Sequence, residues 1–122
     1  MIFSGMSIKK TVALFLTLIL ELSAFPQQTI LDRFQANTVD SQVYLSWTIK
    51  KGSTCNGIKI TRSADSLNFV EIGRIDGVCG DASSAVNYSF IDATPLLNRK
   101  NFYRLDLGDV GPSEIISIDV IS

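Results

Sequence analysis

Two cysteines, Cys55 and Cys79, and a scatter of aspartates are the side chains best suited to chemistry in this 122-residue chain, which holds no histidine. The missing imidazole excludes Ser-His-Asp and Cys-His nucleophile activation. Two cysteines without histidine also make too few soft ligands for an ordinary zinc site. The cysteines stand far from a C-x-x-C spacing, so they are not read as a redox-active pair. In an exported chain two such thiols pair, whereas in the cytosol they stay free.

The aspartates raise a cation hypothesis and an acid/base hypothesis. Asp76 and Asp81 flank Gly77 and Gly80 in one segment, and Asp106 and Asp109 bracket Gly108 in another. Calcium takes six to eight oxygens, and loops of this kind can supply them. Neither segment has the regular D-x-D-x-D-G spacing, so both sets are read as solvated turn acids and no metal site is assigned. Asp92 and Asp106 form no recognisable pair for glycoside hydrolysis, which needs two carboxylates flanking a cleft. No residue is assigned a catalytic role, and no cofactor is expected. The charge balance is 11 Lys plus Arg against 12 Asp plus Glu, a formal net charge of -1. Nucleic acid is therefore not an expected partner, because phosphate recognition needs a basic footprint.

The first 24 residues are organised differently from the rest. Lys9 and Lys10 precede TVALFLTLIL at 11–20, which has no charge, and then come Glu21 and the small pair Ser23 and Ala24. A basic segment, a short apolar segment and small residues in that order make residues 1–24 a secretory signal peptide, with Ala24 before the cut. Glu21 ends the apolar run well short of the ~20 residues that span a bilayer, so no retained transmembrane segment is expected. The expected location is secreted: periplasm, cell surface or outside the cell.

The remaining chain, 27–122, reads as strands. Short alternating runs recur between turn-rich breaks, the pattern of a sandwich or barrel. In VYLSWTI at 43–49, Val43, Leu45, Trp47 and Ile49 share one face while Tyr44, Ser46 and Thr48 share the other. Further runs are ILDRF at 30–34, GIKITR at 57–62, NFVEIGRI at 68–75, VNYSFID at 86–92, NFYRLDL at 101–107 and EIISIDVI at 114–121. These make seven strands. SADSLN at 63–68 is a hairpin connection, and DVGP at 109–112 turns the chain between the last two strands. ATPLLNRK at 93–100 is read as a crossover packed against the end of the sandwich.

VYLSW with its tryptophan, IKITRS, the series Pro95, Tyr103, Leu105 and Leu107, and the final GPSE at 111–114 together resemble a fibronectin type III domain. RSADSLNFVEIGRIDG at 62–77, YSFIDATP at 88–95 and NFYRLDL are similar to fibronectin-like modules of secreted Bacteroidota proteins, the kind often found ahead of a type IX secretion sorting domain. The resemblance implies an all-β, seven-stranded antiparallel, immunoglobulin-like β-sandwich. It also implies that the connections holding Cys55 and Cys79 emerge at one end of the sandwich, where a disulfide can form. Tyr103 aligns with Leu105 and Leu107 and faces inward, and the tyrosine corner of such sandwiches has its hydroxyl bonded to backbone near Pro95. Asn87-Tyr88-Ser89 spells a glycosylation sequon but lies within a strand, and it is read as chance.

Trp47 belongs to the core by its alternation with Val43 and Leu45. Tyr44 on one sheet and Phe102 on the other are the aromatics left for a binding surface; of Phe69 and Val70, only one can point inward. The function expected is that of a secreted, non-catalytic module with a structural or protein-interaction role, envelope proteins being the partners. The alternative is a small carbohydrate- or protein-binding domain using its loops, with polysaccharide as a ligand.

Overall fold

Apolar β-formers at every second position from Val43 to Ile49 can be buried together only if the segment is extended and one of its faces is covered. The computed structural model, which describes residues 30–50, 57–77 and 83–122, has this arrangement. Its strands are β1 (Leu31–Val39), β2 (Gln42–Ile49), β3 (Ile58–Ser63), β4 (Val70–Ile75), β5 (Val86–Asp92), β6 (Arg99–Asp106) and β7 (Ile116–Val120). They form two antiparallel sheets, ordered β1-β2-β5 and β4-β3-β6-β7. The architecture is thus all-β, a sandwich of three strands on four. No helix among the described residues is long and apolar enough to cross a membrane.

The core lies between the sheets. Phe34, Val43, Leu45, Trp47 and Ile49 come from the first sheet, and Ile58, Ile60, Tyr103, Leu105 and Val120 from the second. Trp47 is its centre: the Phe34 ring meets it edge-on with centroids 6.4 Å apart, and the Tyr88 ring stacks on it at 6.2 Å. Both arrangements suit the quadrupoles of aromatic rings.

Two departures from simple alternation shape the first sheet. Leu31 pairs with Ile49 and Phe34 with Trp47, so inward positions on β1 are three residues apart. A bulge absorbs the extra residue, with Arg33 at φ 57°. Beyond Phe34, β1 continues to Val39, further than the run 30–34 indicates. Ala36 and Thr38 are weak inward residues while Val39 points outward, so hydrophobicity conceals the strand. Asp40 and Ser41, at φ 52° and 60°, close the hairpin onto β2. A two-residue turn with both φ positive matches the twist of the strands it joins.

The β3–β4 hairpin is held by Asp65. Its Oδ1 accepts the N–H of Asn68 at 2.8 Å and of Leu67 at 2.9 Å, and Asn68 Nδ2 and Ser63 Oγ also donate to the carboxylate, each at 2.8 Å. These donors, the Asn68 N–H foremost, hold the Asp65 carboxyl well below the usual carboxylate range. After the hairpin neither Phe69 nor Val70 enters the core. Val70 is 67% exposed on the edge strand, and Phe69 lies beneath the Arg104 guanidinium, 4.2 Å from its ring centroid. The cation takes the ring that the core does not.

Gly73 of β4 lets the two sheets approach at their open side. A Cβ there would run into the ring of Phe90 on β5. In the 93–98 crossover Pro95 is buried, but only Leu96 of the leucine pair is partly covered, and Leu97 is exposed. The crossover is held by Asn101, fully buried, whose side chain accepts from Leu96 N and donates to Leu96 O, both at 2.8 Å. Ile49 pairs with Val86 and Ile58 with Ile75, which brings the β2–β3 and β4–β5 connections to one end of the sandwich. Cys55 and Cys79, expected there, lie outside the described residues, as do residues 1–24.

Two stability measurements follow from this packing. Gly73→Ala should lower stability in urea by about 1–3 kcal/mol, the usual range for overpacking, and Phe90→Leu in that background should recover part of the loss. An unchanged midpoint would show that the sheets separate freely at this edge. Asp65 has a folded-state pKa depressed below its unfolded value, so its contribution is present above about pH 4 and is lost as pH falls further. Asp65→Asn should therefore be less stable than the parent at neutral pH, and the two should converge as the pH is taken below about 4. Parallel curves across that window would rule the carboxylate out as the cause.

Candidate functional site

The register that buries one face of each strand in the first sheet also determines what the other face presents. Asn37, Tyr44 and Ile91 form one row across β1, β2 and β5, and Gln35, Ser46 and Ser89 form the next. Thr48 and Asn87 follow, joined by a hydrogen bond from Thr48 Oγ1 to Asn87 Oδ1 at 2.7 Å. The second and third of these rows, with Arg33, Trp47 and Tyr88, line an open groove of about 360 Å³, and the Tyr44 row lies beside it. The bulge places Arg33 there, since the extra residue on β1 sets it outside the alternation.

Between the bulge residues Asp32 and Arg33 at one end and the turn residue Asp40 at the other, this face carries no charged side chain. It consists of amides, hydroxyls and the apolar side chains of Tyr44, Ile91 and Val39. Tyr44 is 37% exposed, and its neighbours Ile91 and Val39 are about half exposed. The opposite face of the sandwich is built otherwise. Glu71 and Arg74 pair at 3.1 Å, Lys100 and Asp119 at 3.5 Å, and Lys59 and Arg104 stand among them.

Tyr44 and Phe102 therefore do not share a surface. Phe102 sits half-buried on the charged face, between Ser63 and Ser117 in the register, while Tyr44 lies on the uncharged one. Trp47 and Tyr103 lie in the core, at 1% and 0% exposure. Asp106 accepts the Gly108 N–H at 3.1 Å, as a turn acid does, and Asp81 lies outside the described residues.

The Tyr103 hydroxyl corrects the expectation of a backbone partner. It donates to Asp92 Oδ2 at 2.7 Å, across the gap between the sheets. Asp92, 3% exposed at the end of β5, also accepts Arg62 Nη1 on both oxygens at 2.9 and 3.0 Å, and Arg62 reaches the Thr94 carbonyl at 2.8 Å. A buried carboxylate demands such partners, and it outcompetes a carbonyl for the phenol because a charged acceptor makes the stronger bond. Burial pushes the Tyr103 phenol far above its usual range, and Asp92 adds to the shift while Arg62 opposes it. The phenol stays protonated and remains a donor.

Sequence reading missed this cluster because Arg62 and Asp92 stand 30 residues apart on strands of different sheets, and only the packing of the two sheets joins them. It also missed the uncharged face, although a signal was present: the outward positions of β1, β2 and β5 read Q-N-V, Q-Y-S-T and N-S-I.

Comparison of the sequence with models of protein families and with curated proteins finds no match. Among solved structures, the sandwich is similar to the sensor domain of the anti-sigma factor RsgI4 from Pseudobacteroides cellulosolvens. The TM-score is 0.52 and the identity 11%, over 77% of this chain and 97% of that one. At that identity the likeness extends to the fold alone.

Tyr103→Phe removes one hydrogen bond to a buried carboxylate while keeping the ring in place. It should cost about 1–3 kcal/mol in chemical denaturation. A variant as stable as the parent would mean that Arg62 and the Thr94 N–H satisfy Asp92 without the phenol.

Proposed function

We propose that this chain is an exported, non-catalytic module of the fibronectin type III kind with a structural or interaction role at the cell surface or outside the cell. The observation that carries the reading is the contrast between the two outer faces. One is laced with ion pairs, the usual dress of a solvated surface, and the other is free of charge between the bulge at Asp32 and Arg33 and the turn at Asp40 and holds the exposed apolar side chains Tyr44, Ile91 and Val39. Depletion of charge and an exposed aromatic are marks of a contact surface.

Several features support the finer identity. The three-on-four strand order, the tryptophan on β2 and the inward tyrosine on β6 suit a fibronectin-like sandwich, though the tyrosine is bonded to a carboxylate instead of backbone. The RsgI4 sensor domain is one use to which a sandwich of this fold is put. The basic, apolar and small-residue order of residues 1–24 supports export. An oxidising compartment and two connections at one end of the sandwich support a Cys55–Cys79 disulfide.

Mass spectrometry of the protein recovered from the exporting cell should find a mature N-terminus within a few residues of Phe25. A screen of glycoside, ester and peptide substrates should find no turnover. A mature species that retains Lys9 and Lys10 would overturn the exported reading. Turnover abolished by replacing a single carboxylate would overturn the non-catalytic one.

A further inference from the structure

We propose that the uncharged outer face of β1, β2 and β5 binds a neutral polysaccharide chain in the groove beside Tyr44. The inference rests on the reading of this face as an interaction surface, and it names the ligand class.

The groove's chemistry selects the ligand. Gln35, Ser46, Thr48, Asn87 and Ser89 line it with amides and hydroxyls, which donate and accept, the complement of a surface covered in hydroxyls. Tyr44, two residues from Ser46 on the same face of β2, adds a partly exposed ring on which the apolar face of a sugar can lie. The rows from Thr48 to Tyr44 extend over roughly 13 Å at the rise of an antiparallel strand, the length of two or three pyranose rings.

Competing occupants fit less well. An acidic polymer would meet Arg33 at the rim and no other cation in the groove, with Asp32 adjoining it. A protein partner would be expected to bury a central apolar cluster. Here most of the residues lining the groove are polar, and the exposed apolar side chains Tyr44, Ile91 and Val39 lie beside it on the same face.

Affinity electrophoresis of the exported protein through gels containing β-glucan, xylan or mannan, and in parallel polygalacturonate, tests the proposal. At least one neutral polymer should retard the protein, and the retardation should be unchanged between about 50 mM and about 500 mM salt, because no charge pair contributes. Tyr44→Ala should weaken it about tenfold or more, the scale of losing a central aromatic contact. Tyr44→Phe should keep most of it, Ser46→Arg should abolish it, and Phe102→Ala should leave it unchanged. Thermal unfolding of each variant confirms that the sandwich remains folded.

Retardation by none of the neutral polymers overturns the proposal. So does salt-sensitive retardation by polygalacturonate alone that is lost in Arg33→Gln. A photo-cross-linker at position 44 in the exporting cell then separates this failure from that of the wider reading. An adduct with an envelope protein leaves the interaction module standing without the polysaccharide, and no adduct removes both.

Discussion

Burial of Trp47 is the constraint from which the rest of the structure proceeds. The indole is the largest fully buried side chain among the described residues, and its position on β2 permits one register. A slip of one residue would exchange Trp47, Leu45 and Val43 for Ser46 and Tyr44 at the interface between the sheets. Because β2 is the middle strand of its sheet, its register is passed to both neighbours. Phe34 must come opposite Trp47 on one side and Tyr88 on the other. The bulge at Arg33 is the local adjustment that lets β1 bring both Leu31 and Phe34 to the core. The composition of the outer face is thus the reverse side of a packing problem solved within the core.

Hydrophobic burial aligns the sheets, but it is not directional, and it does not say where along their length they are fastened. The polar contacts do. Asp92 ends β5 and is bound by Arg62 of β3 and Tyr103 of β6, so one carboxylate ties the edge of the first sheet to the middle of the second. Asn101, one turn of the pleat from Tyr103, holds the crossover that leads from β5 to β6. Ser113 performs a comparable task before β7, where its hydroxyl accepts the Leu105 N–H and its N–H donates to the Leu105 carbonyl, each at 2.8 Å. Buried polar side chains are thus found at places where chain segments meet, with their hydrogen bonds satisfied, while the interior between them is apolar. The exception is the Trp47 indole N–H, which is buried without a partner among the described residues. Size and shape hold that side chain in place.

The legibility of the sequence follows the same division. Alternation marks seven strands, and strongest of all β2, where four inward residues are large and the outward ones polar. Strand ends are less legible where the inward residues are small. From Gln35 to Val39 the strand continues through Ala36 and Thr38, and the apolar valine stands outside. The hairpin acid Asp65 sits in a segment recognisable as a turn, yet the number of donors it collects depends on the loop's shape. Arg62 and Asp92 are individually unremarkable polar residues near strand ends, and their partnership exists only through the crossing of two sheets. The candidate face is intermediate. Each outward set is visible in the sequence, but their meeting in adjacent rows requires the order β1-β2-β5, in which β5 is recruited from across the chain.

The two outer faces make different demands on stability. Charged side chains on the second sheet keep the molecule solvated and are worth little to folding, since exposed ion pairs contribute about 0–1 kcal/mol each. The first sheet forgoes them. Its amides and hydroxyls are open to water, so no desolvation is incurred in the free protein. Neither face is therefore dictated by the fold. A sandwich with Lys and Glu in place of Gln35, Ser46 and Ser89 would bury the same core, because those positions are exposed on the outer face. The uncharged composition of the face is accordingly a property that folding leaves open, and a contact made there can change with few substitutions while Trp47 and its neighbours keep the scaffold unaltered.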